Sequence, residues 1–136
     1  MVEDAVRVRV ASDVDIVAAR QAGRALADHA GFSATDATLI ATAISEVARN
    51  MLTYARGGEV RITSLEGPGR RGIEVVAVDH GPGIPDVARA MEDGYSTGRG
   101  MGLGLPGARR LVDEFEIVAP VGVGTTVTMR KWRVAR

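Results

Sequence analysis

The chain has 136 residues and balances 17 Lys+Arg against 17 Asp+Glu for a formal net charge of zero. With lysine only at Lys131 and the arginines scattered, it carries no basic footprint for nucleic acid. It has no cysteine, which excludes disulfides and thiolate metal sites and suits a reducing cytoplasm. An apolar content of 46% supplies one core for a single domain over 1–136. No stretch approaches the roughly 18 apolar residues that span a bilayer, and the N-terminus lacks a signal-peptide run, so neither a membrane nor export is expected.

In chain order, Val6, Val8 and Val10 alternate with Arg7 and Arg9, the period of a strand with one covered face. Ser12 and Asp15 give an S-x-x-D start signal, and Val14, Val17, Ala18, Ala22, Ala25 and Leu26 then recur at helical spacing until Gly31. Ser33 and Asp36 repeat the signal. The helix that follows carries Ala37, Ile40, Ala41, Ile44, Val47, Ala48 and Met51 on one apolar stripe and ends near residues 54–57. Residues 60–66 and 73–79 read as a hairpin across a turn at 67–72, and the apolar run Val75, Val76, Ala77, Val78 predicts a central strand. Residues 85–92 suggest a short helix, 93–101 a polar, glycine-rich mobile loop, and 103–115 a helix that tolerates Pro106 only in its first turn. Strands over 116–119 and 125–132 close the chain as a second hairpin. Clustered hairpins argue against a doubly wound sheet. The fold expected is α/β (α+β), a two-layer sandwich with a mixed, mostly antiparallel sheet and helices on one face.

Three short stretches carry chemistry. Glu46 and Asn50 stand at i and i+4, so both leave the same face of a helix. Asn50 can offer a carbonyl oxygen to magnesium, which takes hard oxygen ligands and keeps several waters, and Glu46 can polarise a water or a hydroxyl. Taken alone, such a pair is more often a solvated polar face, since pairs of this kind are common on helices. Asp79 ends an apolar strand and is followed by Gly81 and Gly83, so a carboxylate can meet the exocyclic amine of adenine while glycines let the ring approach. Turn chemistry alone also accounts for that stretch. Gly98, Gly100, Gly102 and Gly104 alternate, with Leu103 and Leu105 between and after the last of them, before a helix whose free N–H groups can hold phosphate. A plain connector is the bland alternative. Thr125 and Thr126 open the last strand, and their hydroxyls can meet a base edge. Each stretch is weak alone; their joint order points to ATP with Mg2+.

In these residues the chain resembles the gyrase, histidine-kinase and MutL ATPase superfamily, with an N box like Glu46 to Asn50, a G1 box like Asp79 to Gly83 and a G2 box like Gly100 to Leu105. It is more closely similar to the small serine/threonine switch kinases of RsbT type. Asp15-Ile-Val-Ala-Ala-Arg-Gln21, Ala43-Ile-Ser-Glu-Val-Ala-Arg-Asn50, Met91-Glu-Asp-Gly-Tyr-Ser-Thr97 and Gly104-Leu-Pro-Gly-Ala-Arg-Arg-Leu111 carry that likeness. The resemblance implies a histidine-kinase-like ATPase fold. It also implies a cytoplasmic kinase that moves the ATP γ-phosphate onto a Ser or Thr of a STAS-domain antagonist on a stressosome scaffold and, once released, activates a PP2C-type phosphatase. Asn50 would bind magnesium, Asp79 the adenine amine, Gly81 and Gly83 the base, Gly102 to Leu105 the phosphates, and Glu46 would be the base. The alternative is an anti-sigma factor of the same fold that binds a sigma subunit. No phospho-accepting histidine helix precedes the site, which disfavours a histidine-kinase catalytic domain, and there is no room for the transducing domain of gyrase- or MutL-type enzymes.

Overall fold

The computed structural model describes residues 5–92 and 104–134. The elements run β1 (Ala5–Val10), α1 (Asp13–His29), α2 (Ala34–Ala55), β2 (Gly58–Gly67), β3 (Arg70–Asp79), α3 (Val87–Ala90), α4 (Gly104–Arg110), β4 (Glu114–Val118) and β5 (Thr125–Val134). Five strands form one sheet in the order β1-β2-β3-β5-β4, and all four pairings are antiparallel. The mostly antiparallel sheet expected is antiparallel in every pairing described: β2–β3 and β4–β5 are hairpins, β1–β2 closes over α1 and α2, and β3–β5 spans α3, α4 and β4. Strand β3 is central, as its apolar run predicted.

One face of the sheet is packed and the other is open. Val10 on β1, Val60 and Ile62 on β2, Ile73, Val75 and Ala77 on β3, and Val127 and Met129 on β5 are buried against the helices. Antiparallel register sets these side by side, with Val60 opposite Ala77, Ile62 opposite Val75, and Ala77 opposite Val127. The helices answer with Ile40, Ile44, Val47 and Met51 on α2, which is the predicted stripe.

Helix α1 buries a stripe that has only Leu26 in common with the one expected, with Ala22 packed at its edge. Ile16, Ala19, Gly23, Leu26 and Ala27 face the core, whereas Val14 and Val17 are exposed at 75% and 39%. The reason is close approach: a Cβ on Gly23 would run into the Cδ1 of Ile44, so this face is where α2 can come nearest. The start signals differ as well. Ser33 caps α2 by accepting from the Asp36 amide at 3.1 Å, while Ser12 makes no such bond and Asp15 instead accepts from the Ala11 amide at 2.8 Å.

Three boundaries shift. The β2–β3 turn closes to Pro68-Gly69, since Gly67 still pairs with Arg70. The short helix shrinks to the single turn α3, capped where Asp86 accepts from the Arg89 amide at 3.0 Å. Helix α4 stops at Arg110 rather than running to Phe115, because Phe115 pairs with Met129 in the sheet and packs on the core. Pro106 sits in the first turn of α4, where its missing N–H costs nothing.

Across the open face runs a polar ladder. The Arg130 guanidinium donates to Glu74 at 2.8 Å and to Glu114 at 3.0 Å. The Trp132 indole donates to Glu114 at 2.6 Å, and Arg70 stacks 3.7 Å above the Trp132 ring. The ladder ties edge strand β4 across β5 to the central strand. Among the described residues no helix is long and apolar enough to cross a membrane.

Candidate functional site

The site forms where the C-terminal half of α2 meets the C-terminal end of β3. Six consecutive residues of α2, Ala43, Ile44, Ser45, Glu46, Val47 and Ala48, are buried. The helix is covered all round there, and α2 as a whole packs against α1, the sheet and α4. Glu46 is only 8% exposed, so the solvated-face reading of that carboxylate falls. Its Oε2 lies 3.3 Å from Nη1 of Arg49. Asn50, one turn beyond Glu46, is half-buried and keeps access to solvent.

Asp79 is also 8% exposed, and its two carboxylate oxygens are treated differently. Oδ1 accepts from the Gly81 amide at 2.9 Å and from the Thr125 amide at 3.2 Å. Backbone N–H groups compensate the desolvation of a buried carboxylate and fix its rotation. Oδ2 takes no hydrogen bond among the described residues, so it remains an acceptor for a ligand donor. The two ends of the site are close. A Cβ on Gly58 would stand 2.8 Å from Sδ of Met51 and 3.1 Å from Cα of Asp79, which brings the turn holding Asn50 beside the strand end.

The glycines after Asp79 carry a packing task beside the one read in the sequence. A Cβ on Gly81 would lie 2.5 Å from that of Ala55, and one on Gly83, at φ +75°, would strike the Pro120 carbonyl. Gly81 and Gly83 thus let the 80–84 loop lie against α2 on one side and the β4–β5 turn on the other. That turn is zipped on by backbone bonds, with the Ile84 amide to the Ala119 carbonyl at 3.0 Å and the Gly122 amide to the Pro82 carbonyl at 2.8 Å. Sequence reasoning missed this clamp.

Thr125 and Thr126 part company. Thr125 is buried and registers opposite Asp79, whereas Thr126 registers opposite Val78 and Val118 on the open face. Successive side chains of a strand point to opposite faces, so Thr126 is not brought to the site. At the helix end, Gly104 (φ +48°) is half-buried and Leu105 is 4% exposed in the core. Gly100, Gly102 and Leu103, and the loop expected over 93–101, lie outside the described residues. Among the described residues no group of three or more His, Cys, Asp and Glu is placed to hold a metal by itself.

A buried carboxylate with one saturated and one open oxygen, beside a covered helix carrying a glutamate and an asparagine, on an antiparallel two-layer sandwich, defines a class. The family described as Histidine kinase-like ATPase domain matches residues 10–131. The chain belongs to that family, in its branch of small serine/threonine-protein kinases of RsbT type. It is 48% identical over 125 residues, 92% of this chain and 94% of the relative, to the serine/threonine-protein kinase RsbT of Bacillus subtilis (strain 168). The Anti-sigma F factor of Thermoanaerobacter sp. (strain X514) is 29% identical over 98 residues, 68% of each chain. Among solved structures, the RsbU and RsbW domains of Rv1364c from Mycobacterium tuberculosis align with a TM-score of 0.61 at 24% identity, with all of this chain covering 34% of that longer one. That last likeness speaks for the fold alone.

Proposed function

We propose that the chain transfers the γ-phosphoryl group of ATP to a serine or threonine of a STAS-domain antagonist in a stressosome-type partner-switching module in the cytoplasm, and that on release it activates a PP2C-type phosphatase. The observation that carries the nucleotide half is the divided Asp79 carboxylate. With Oδ1 held by two backbone amides, Oδ2 is a fixed acceptor for a donor such as the adenine amine. The 48% identity over nearly the full length of both chains supports the acceptor class.

The residues fit such a ligand. Asn50 supplies a neutral oxygen at a solvent-reaching position, and with no carboxylate cage nearby among the described residues a magnesium ion would be held by Asn50, phosphate oxygens and water. Gly102 to Leu105 would cover the phosphates at the start of α4. When bound, ATP with magnesium supplies the group to be transferred and the neutralisation of its charge. Glu46 is the base in this reading: buried, on the same helix face as Asn50, it takes the proton of the acceptor hydroxyl. Phosphoryl transfer asks mainly for positioning and charge neutralisation, with a smaller share from a base.

A second reading is kept by one observation, the 29% identity to an anti-sigma factor over 68% of each chain. In that reading the same fold binds and occludes a sigma subunit. Incubation with labelled ATP, magnesium and candidate STAS proteins, run beside a sigma-factor pull-down, separates the two. Label appearing on a STAS serine or threonine is the expected result; sigma capture with no transfer favours the second.

A further inference from the structure

The Glu46–Arg49 pair is lopsided in a way that an ordinary helix ion pair is not. At i and i+3 the contact is between neighbours on one helix face. Yet the Glu46 side chain is 10% exposed and the Arg49 side chain 55%. When both heads stand in water, such a pair contributes little and its geometry is loose. Here one member is embedded in a turn buried on every side, and the other reaches in from solvent. A buried carboxylate is costly unless it is met by a cation or by donors. Arg49 meets it at 3.3 Å, through Oε2. Oε1 takes no hydrogen bond among the described residues.

We propose that Arg49 is a positioning residue for phosphoryl transfer: its guanidinium holds Glu46 by one oxygen so that the other is presented to the acceptor hydroxyl. The proposal rests on the reading of Glu46 as the base. In the step, Oε1 accepts the hydroxyl proton while the hydroxyl oxygen bonds to the γ-phosphorus. The bond from that phosphorus to the β–γ bridging oxygen breaks, and ADP leaves with the electron pair. Glu46 then returns its proton to water and regains its ion pair with Arg49. A glutamate has three side-chain torsions, and a base displaced by about 1 Å can lose ~10²-fold in rate, so one fixed oxygen is what Arg49 contributes.

The test uses the full chain with ATP, magnesium and a STAS-domain protein that the wild-type chain phosphorylates. Arg49→Gln is expected to lower kcat by about tenfold or more while the KM for ATP stays within about twofold. Arg49→Lys, which keeps a cation on a flexible stem, is expected to restore much of the rate. The decisive comparison is the Glu46→Gln background, where Arg49→Gln is expected to cost nothing further, since neighbours acting through one group are not additive. An equal loss in both backgrounds, a wild-type kcat in Arg49→Gln, or a loss seen only in the KM for ATP overturns the proposal; the last makes Arg49 a phosphate ligand. If Glu46→Gln alone keeps full kcat, the base reading fails and this proposal with it. If Glu46→Gln loses transfer while Arg49→Gln does not, the base reading stands and only the role of Arg49 falls. Should Arg49→Gln not fold, Arg49→Met keeps the stem along the helix and takes its place in the same comparison.

Discussion

The Thr125 amide donates to Oδ1 of Asp79 at 3.2 Å, a contact that spans 46 residues of chain. A strand end and a strand start that face each other in register thereby fix the rotation of a carboxylate. The backbone, not a side chain, decides which oxygen is left for a ligand.

That arrangement predicts the outcome of Asp79→Asn. The two backbone donors require the amide oxygen in the place of Oδ1, which turns the NH2 toward the pocket and replaces an acceptor with a donor. ATP affinity is expected to fall by roughly 10- to 100-fold, about 1.4–2.8 kcal/mol, with the fold kept. Calorimetric titration with ATP and magnesium measures it, and wild-type affinity would remove Asp79 from the site.

Asn50→Ala makes a different prediction. The side chain is half-buried and lies beyond the all-round-covered turn, so melting temperature should change little. Magnesium-dependent transfer to the acceptor protein should be abolished. A magnesium titration of labelled-phosphate transfer is the check, and transfer that saturates as in wild type counts against Asn50 as the metal ligand.

Glu46→Gln keeps the shape of a buried side chain and removes its charge. Nucleotide binding should persist while transfer drops by ~10²–10⁴-fold, the usual range for a positioned base. Undiminished transfer would take the base away from Glu46 and leave the pocket untouched.

Gly83→Ala tests the clamp. Its φ of +75° is unfavourable for alanine, and the added Cβ would meet the Pro120 carbonyl. A loss of about 1–3 kcal/mol in stability is expected together with weaker ATP binding, because the 80–84 loop and the β4–β5 turn are displaced jointly. Unfolding curves with and without nucleotide report both effects. Unchanged stability would show that the loop has another way to pack.

The open-face ladder predicts an acid limb. The Trp132 indole bond, and then the Arg130 bond, hold the Glu114 carboxyl below the ordinary glutamate value of 4.5, and the same pairing raises Arg130, chiefly through its bond to Glu114. A carboxyl whose folded value is depressed contributes stability above its unfolded value and loses that contribution as pH falls through the folded one. Stability should therefore fall as pH drops below about 4.5, and Glu114→Gln should flatten that part of the curve. Trp132 fluorescence during acid titration follows the edge directly. Identical curves for the two proteins would exclude Glu114 as a source.

Much of the fold was legible because it rests on periodicity. The α2 stripe from Ala37 to Met51 and the central position of β3 were both readable, since many residues agreed on each. The α1 stripe was misread because valines outweighed a glycine: Val14 and Val17 look like core, but the near approach of Ile44 at Gly23 decides the face. Phe115 was assigned to a helix because nothing local marks the change of period; its partner Met129 lies elsewhere in the sequence. At the site, residue types and order were readable. Burial of Glu46 was not, because it depends on how α1, α4 and the sheet pack around α2. The exclusion of Thr126 needed only the strand register, which places it opposite Val78 rather than Asp79.

The Asp79 carboxylate draws its two amide donors from opposite sides of the molecule's assembly, one from the loop directly after it and one from the final strand. The fixed orientation of that carboxylate, and with it the proposed nucleotide site, is therefore incomplete on a growing polypeptide until β5 has emerged and docked. A ligand that needs the carboxylate so oriented would bind only the state with β5 docked, so its binding would be linked to completion of the sheet and would stabilise it.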